Sequence, residues 1–583
     1  MGKKPSIDQC DHILTSRGEI LEIEERKIDG RQYRVWKHAP KTFRSFFLAS
    51  MVKYADRTFI SSPSSSGTSR ESVTFKQVHE RAERLAGWMK EQGLGMGSRV
   101  AIGGSNSAGW VVAFMAVHLI GGIAVCLNAM LPQDLMLHCL KTTTPHLVLV
   151  DPERAEALKP ILSMLKELGV GPVVDFTTDL QCGPASLEDV RSGKGLEALD
   201  PESDGLIFFS SGTSGPPKAV LSTQRMALTN LWSGMVAPAR AALRADLIPP
   251  PLPSTSDPQR TVLLAIPLFH VTGCLSWLMR AVFAGSKMVM MRRWDVKEAV
   301  ALIEGEGVTV IGGVPAVVAS ILQSPDLLKD RSFDTVFYGG APPSKQLAAE
   351  VKERWPKAGL VQGYGMTETN AYVCSIAGGD YVLKPDSTGP VVPVTDVKIV
   401  DPATRKELPD GKIGLLLVRG PQVMKRYYGN EKATAEAIDA DGWLDTGDVA
   451  EVDYEGFVYI RDRQKDIIIR GGENITSSEV ENALYADKRV SEAVAIGIPD
   501  KILGELVGAI VALRPGQKGT EADILEGVKG RLPRFAVPSL LLIHDGPLPK
   551  NVNGKVVKRD MRPMLVDEWA KRQPKQEQLK AKL

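Results

Sequence analysis

This chain has little cysteine, almost no net charge and no unbroken membrane-length apolar run. Its 583 residues hold six cysteines (Cys10, Cys126, Cys139, Cys182, Cys274 and Cys374), with no close pair among them. That scatter excludes a disulfide frame or a clustered zinc site and reads as reduced, mostly buried thiols of an intracellular protein. Lys and Arg total 71 against 69 Asp and Glu, a net charge of +2. Such balance argues against a nucleic-acid binder driven by bulk charge. The charged, polar N-terminus carries no visible secretory signal peptide. The longest apolar run, 109–131, is broken by His118 and by Gly121-Gly122 ahead of the strand-like Ile123-Ala124-Val125-Cys126-Leu127. It reads as buried helix, turn and buried strand, so no transmembrane segment is expected. Internal repeats are absent as well.

What is present fits a globular enzyme: 43% of residues are hydrophobic. The length exceeds what one core organises, so two or more domains are expected. Up to about residue 200 helical and strand patterns alternate. Val73-Thr74-Phe75-Lys76-Gln77-Val78 leads into a helix through about Gln92; the strand Arg99–Gly103 and a helix near Trp110 follow. Alternation of this kind predicts α/β layers with largely parallel strands. The Pro-rich stretch 247–258 reads as an exposed loop.

One stretch organises the chain: Phe208-Phe209-Ser210-Ser211-Gly212-Thr213-Ser214-Gly215-Pro216-Pro217-Lys218. A short apolar strand ends there in hydroxyls, glycines and one lysine, a composition suited to polyphosphate or, on its face alone, to a surface turn. It is not a Walker A loop. That motif needs Gly-Lys-Ser/Thr and then a helix, whereas Pro217 precedes Lys218 and Val220-Leu221-Ser222 reads as a second strand. The loop therefore bridges a hairpin.

Further stretches share the habit of strands ending in small residues. Val308–Pro315 and Thr335–Pro342 both do so, the second through Gly339-Gly340-Ala341. In open α/β sheets ligands bind at such carboxyl ends, although tight turns look the same. In Gln362-Gly363-Tyr364-Gly365-Met366-Thr367-Glu368 an aromatic that can stack on a purine is followed by a hydroxyl and a carboxylate. Carboxylate oxygen suits Mg²⁺. Ile266–Gly273 places His270 after a strand and before an apolar helix, where a lone imidazole is more often a satisfied core side chain. Gly442-Trp443-Leu444-Asp445-Thr446-Gly447-Asp448 offers an Asp at a strand start, able to accept ribose hydroxyls. Tyr459–Ile469 is a strand, a charged break and another strand, and Pro549–Lys555 puts a lysine on a glycine-tipped loop.

Together these motifs resemble the adenylate-forming superfamily of acyl- and aryl-CoA synthetases, beetle luciferases and peptide-synthetase adenylation domains, from about Phe46 to Arg562. In style they are most similar to 4-coumarate and fatty acyl-CoA ligases. The resemblance implies an α/β protein: a large multi-layer N-terminal domain (1–462), a hinge (463–466) and a small mobile α+β C-terminal lid (467–583) carrying a catalytic lysine. It also implies ATP, Mg²⁺ and coenzyme A as cofactors and a small carboxylic acid as substrate. By residue, Ser210, Ser211, Gly212, Thr213, Ser214, Gly215 and Lys218 would hold phosphates, and Glu368, with Thr213, the metal. Thr367 would touch the α-phosphate, while Gly339, Gly340, Ala341, Gly363, Tyr364 and Gly365 would border adenine. Asp448 would take the ribose, Arg463 would face ribose and phosphate, and Lys465 would be the pivot. Gly472 would line the pantetheine tunnel, His270 the acid, and Lys555 would be the catalytic lysine. Asp445 receives no role. An apolar acid is expected, because the segments around Val271 and Val314 are mainly aliphatic and glycine with no evident Lys or Asp anchor.

Two terminal signals are read separately. Met1-Gly2-Lys3-Lys4-Pro5-Ser6 formally matches an N-myristoylation pattern, too loosely to carry weight. Ala581-Lys582-Leu583, on a polar, lysine-rich tail, is similar to the peroxisomal C-terminal signal. In a eukaryote it implies an import receptor as partner; otherwise a cytoplasmic location is expected.

Overall fold

The computed structural model describes residues 4–64, 69–178, 180–210, 216–322, 328, 331–341, 343–344, 346–471, 473–550 and 556–580, with C-terminal-helix side chains as far as residue 572. Outside the described residues lie Ser211–Gly215, Pro342, Gly472, Asn551–Lys555, Met1–Lys3 and Ala581–Leu583.

Two large sheets form the N-terminal part. In a seven-stranded sheet, Val173–Asp175, Leu147–Val150, Arg99–Gly103, Ile123–Leu127 and Asp204–Phe209 lie side by side in parallel. Ala219–Thr223 and Arg426–Tyr427 complete its other edge antiparallel. The eight-stranded sheet has a parallel centre of Thr58–Pro63, Lys287–Met290, Thr261–Leu264, Val310–Gly313, Thr335–Gly339 and Gly359–Tyr364. Parallel strands buried on both faces need near-continuous apolar runs, and the alternate residues divide between cores. Val100, Ile102, Val262, Leu264, Met288 and Met290 share the inter-sheet core. Ala101 and Leu263 face outer clusters.

Helices fill the space between the sheets. Phe75–Glu91 starts where Thr74 accepts from Gln77 N (3.2 Å) and Gln77 Oε1 accepts from Thr74 N (2.9 Å), a reciprocal cap. Within 109–131 the expected helix is Ala108–Leu119 and the strand Ile123–Leu127, both buried except at Gly109. Among the described residues no helix is long and apolar enough to cross a membrane. All six cysteines are free, five buried and Cys182 half-buried. The stretch 247–258 is an exposed loop, with Ile248 91% exposed.

A five-stranded antiparallel sheet follows, ordered Gly389–Pro390, Phe457–Arg463, Leu444–Val452, Gly414–Arg419 and Asp396–Val400. Here Asp448 departs from expectation: it stands in mid-strand, not at a strand start. Gly447 (φ 67) bends the strand just before it, so the segment reads as a loop end, yet pairing on both sides carries the strand through. After a short turn at Gln464–Asp466 the hydrophobic clusters change. Ile467 packs on the preceding sheet, whereas Ile468 belongs to a core built from 468–543. That C-terminal unit pairs Val490–Asp500 with Gly504–Leu513, adds Leu540–His544, and packs Ser477–Tyr485 and Glu521–Val528 on it. The C-terminal stretch, expected as a tail from residue 573, continues as helix Lys558–Lys580.

Candidate active site

The hairpin expected around the glycine-rich loop is present: Asp204–Phe209 pairs antiparallel with Ala219–Thr223. Ser210 N donates to Lys218 O (2.9 Å) and Lys218 N donates to Ser210 Oγ (3.1 Å), closing the loop at its base. Lys218 is exposed, and its Nζ lies 4.7 Å from the centre of the Tyr427 ring.

Glu368 is buried on the single turn Thr367–Thr369, directly after the strand Gly359–Tyr364. Tyr427 Oη donates to its Oε1 (2.8 Å), and Met424 N donates to its main-chain oxygen (2.7 Å). Burial, then the Glu368 charge, push the Tyr427 phenol well above its ordinary value, so it stays a donor. Among the described residues no cluster of three His, Cys, Asp or Glu stands ready for a metal. Glu368 suits a different design, one carboxylate completing a metal held mainly by phosphate oxygens.

The second group is built by register. Asp448 and Arg463 are directly opposed across the Leu444–Val452/Phe457–Arg463 ladder, and Arg463 Nε meets Asp448 Oδ1 at 2.6 Å. Tyr364 Oη donates to Asp448 Oδ2 at 2.5 Å. Asp448 is only 2% exposed, so its charge needs these partners. Burial works against the Arg463 charge, but Asp448, Tyr364 and Glu368 together hold it above its ordinary value. Burial and Asp448 raise the Tyr364 phenol. Tyr364, which ends the strand leading to the Glu368 turn, thus joins the Asp448–Arg463 pair to the Glu368 group in one site.

Close packing explains the glycines. A Cβ on Gly363 would lie 2.5 Å from the Tyr372 ring, one on Gly365 1.3 Å from Ala371 O, and one on Gly339 2.6 Å from Gly363 O. Gly340 has φ 79, and its missing Cβ would stand 3.8 Å from Thr272 Oγ1 and 3.9 Å from Val314. The His270 segment therefore abuts the Gly339-Gly340-Ala341 turn. His270 is half-buried, its ring packs edge-on to Phe269 (4.7 Å), and its main-chain oxygen accepts from Cys274 N (2.9 Å) at the head of a π-helix, Thr272–Leu278. Lys465 is exposed on the turn Gln464–Asp466. Ser211, Gly212, Thr213, Ser214, Gly215, Gly472 and Lys555 lie outside the described residues, so their expected roles have no geometry here.

Sequence reasoning missed three features. Tyr427 was overlooked because its strand has only two residues. Trp277, Phe337 and Tyr372 form an aromatic row, with centroids 5.5 and 6.3 Å apart, where a mainly aliphatic and glycine lining was expected. Arg280 adds a guanidinium beside Tyr372 and Gly234.

The family profile for AMP-binding enzymes matches residues 47–428, and that for their C-terminal domain matches 479–555. A 4-coumarate–CoA ligase-like protein of Arabidopsis thaliana is 30% identical over 507 residues, 86% of each chain. A Rhodococcus jostii CoA ligase for a methyl-dioxo-octahydroindenyl propanoate is 31% identical over 513 residues, 84% of this chain and 93% of its own. Among solved structures, ATP-bound MatB of Rhodopseudomonas palustris superposes with TM-score 0.74 at 26% identity, over 91% of this chain and all of that one. The o-succinylbenzoate CoA synthetase of Bacillus subtilis with ATP and magnesium gives 0.70 at 25%, over 90% and 99%. With two partnered carboxylates in one site on this architecture, the chain belongs to the AMP-binding enzyme family and is an AMP-forming acyl-CoA ligase that uses ATP, Mg²⁺ and CoA.

Proposed function

We propose that the acid is apolar, fatty or aryl-alkyl, and that the reaction runs in two half-reactions served by a moving C-terminal domain. The observation that carries the site reading is the hold of Arg463 and Tyr364 on the buried Asp448, with Tyr364 ending the parallel strand that leads to Glu368 and the exposed Lys218 over the Tyr427 ring that Glu368 engages. Asp448 and Arg463 would hold the ribose, Tyr364 would flank adenine, and Lys218 with the loop 211–215 would bind the β- and γ-phosphates. Thr367 would touch the α-phosphate, and Glu368 with Thr213 would hold Mg²⁺, which when bound neutralises phosphate charge. The acid's carboxylate attacks the α-phosphorus and its bond to the pyrophosphate breaks, leaving acyl-AMP. Lys555 would offset the charge that develops. Rotation about Lys465 would then carry Lys555 away and admit the CoA thiol past His270 and Gly472. Thiol attack on the acyl carbon releases AMP and yields the thioester.

The aromatic row Trp277–Phe337–Tyr372 beside Gly363 supports an apolar, ring-tolerant pocket. The relatives' names, among them a feruloyl-CoA synthase, agree with that chemistry. The test is pyrophosphate release across fatty, aryl-alkyl and small polar acids, with and without CoA, for wild type and Lys555→Ala. Release with apolar acids, lost in Lys555→Ala and giving thioester and AMP with CoA, is expected. Pyrophosphate without thioester would favour a carrier protein as acceptor in trans, and preference for small polar acids would overturn the pocket reading. In a eukaryotic host we further propose peroxisomal import through Ala581-Lys582-Leu583, tested by the location of a fluorescent fusion with and without those residues.

A further inference from the structure

We propose that Tyr427 is a positioning residue for the metal-binding carboxylate, linking it to the phosphate-loop lysine. The inference rests on the reading of Glu368 as the Mg²⁺ ligand. It begins with sheet register. Tyr427 lies opposite Val220 on the edge strand, and opposed residues of an antiparallel pair share a face. Val220 follows Lys218 by two residues, so Lys218 and Tyr427 emerge on the same side, and the ammonium settles over the ring at 4.7 Å. The opposite end of the same side chain, its hydroxyl, donates to Glu368 Oε1 at 2.8 Å.

The segment grips Glu368 twice. Met424 N fixes its main-chain oxygen and Tyr427 fixes one carboxylate oxygen, while among the described residues Oε2 has no hydrogen-bond partner. A buried carboxylate held by one oxygen presents the other in a fixed direction, and such supporting contacts commonly decide metal affinity. Tyr427 is 6% exposed and reaches Glu368 through its hydroxyl.

Tyr427→Phe keeps the ring under Lys218 and deletes only the hydroxyl. Mn²⁺ in place of Mg²⁺, with a non-hydrolysable ATP analogue, allows free metal to be counted by electron paramagnetic resonance. One hydrogen bond to a charged group corresponds to about a tenfold loss of Mn²⁺ affinity in Tyr427→Phe. Affinity for the analogue in excess EDTA should stay at the wild-type value, and the Mg²⁺ concentration for half-maximal acid-dependent pyrophosphate release should rise in step. Wild-type Mn²⁺ affinity in Tyr427→Phe overturns the proposal. So does equal weakening of analogue binding with and without metal, the mark of a merely structural tyrosine. Glu368→Gln run alongside separates the premises. Full Mn²⁺ affinity in that variant would remove Glu368 from the metal site, and Tyr427's role with it.

Discussion

Arg280 Nη1 donates to the main-chain oxygen of Gly234 at 3.0 Å, and the reason lies four residues further along the helix Gln224–Arg244. Pro238 stands where that carbonyl's helical N–H should come from, and proline has none. The guanidinium replaces the missing donor from another element. Arg280→Met should therefore cost about 1 kcal/mol, read as a lower denaturant midpoint. In a Pro238→Ala background, which restores the donor, the same change should cost less than half as much. Equal losses in both backgrounds would show that Arg280 acts elsewhere, on the acid pocket beside Tyr372 for example.

His118 supplies a pH test. Its ring stacks on Phe43 at 4.1 Å and meets Phe114 edge-on at 4.6 Å, and neither ring nitrogen has a hydrogen-bond partner among the described residues. Burial pushes its pKa from 6.5 down to about 3. The folded value lies below the unfolded one, so the unfolded chain binds the extra proton between them. Stability is full above about 6.5 and is lost as the pH falls toward 3, by at most about 1.4 kcal/mol per pH unit. His118→Leu should flatten that slope in the unfolding midpoint of the N-terminal part. A wild-type slope in the variant would assign acid sensitivity to other groups.

Local patterns made much of this fold legible. The cap at Thr74, the break at Gly121-Gly122 and the hairpin on either side of residues 211–215 are all written within a few residues of where they act. Partners far apart in sequence were not legible. Tyr427 meets Glu368 across 59 positions from a two-residue strand, and no period or propensity marks so short an element. Arg280 answers Pro238 across a helix crossing, and neither residue alone signals the other. Asp448 was recognisable as a nucleotide-type carboxylate, yet its mid-strand position was hidden by Gly447, which reads as a strand breaker until both neighbouring strands are known. Composition around Val271 and Val314 pointed to a mainly aliphatic lining, because Phe337 and Tyr372 come from a different strand and from the loop before Cys374–Ala377.

Asp448 yields a kinetic expectation. Asp448→Asn keeps the shape but removes the charge facing Arg463 at 2.6 Å, and it weakens acceptance from Tyr364. On the ribose role proposed for Asp448, the contact is made equally in ground and transition states, so its loss falls mainly on KM. The KM for ATP should rise at least tenfold, on the order of one charged hydrogen bond, with kcat changed less. Adenylation rates at varied ATP check this; an unchanged KM would remove Asp448 from the nucleotide site.

Across the turn at Gln464–Asp466, a polar chain joins the two parts of the protein. Asp462 Oδ2 accepts from Ser477 Oγ at 2.7 Å, Lys558 Nζ donates to Ser477 Oγ, and the same ammonium pairs with Glu481 Oε1 at 2.8 Å. Burial pushes the Glu481 carboxyl up and Lys558 pulls it back, while Glu481 and Asp462 hold the ammonium above its usual value against burial. Lys558→Met strands Glu481 beside Ala495 N without a counter-charge. The cost at neutral pH should be about 3 kcal/mol, seen as earlier unfolding of the C-terminal part. Glu481 then titrates further above its unfolded value of 4.5. Its stabilising share is present below that pH and is lost as the pH rises through the folded value. The deficit of Lys558→Met should therefore shrink at pH 5 and widen toward pH 8, and Glu481→Gln in the same chain should remove most of it. A deficit independent of pH would mean that Lys558 contributes packing alone, and that the chain through Ser477 to Asp462 does not depend on its charge.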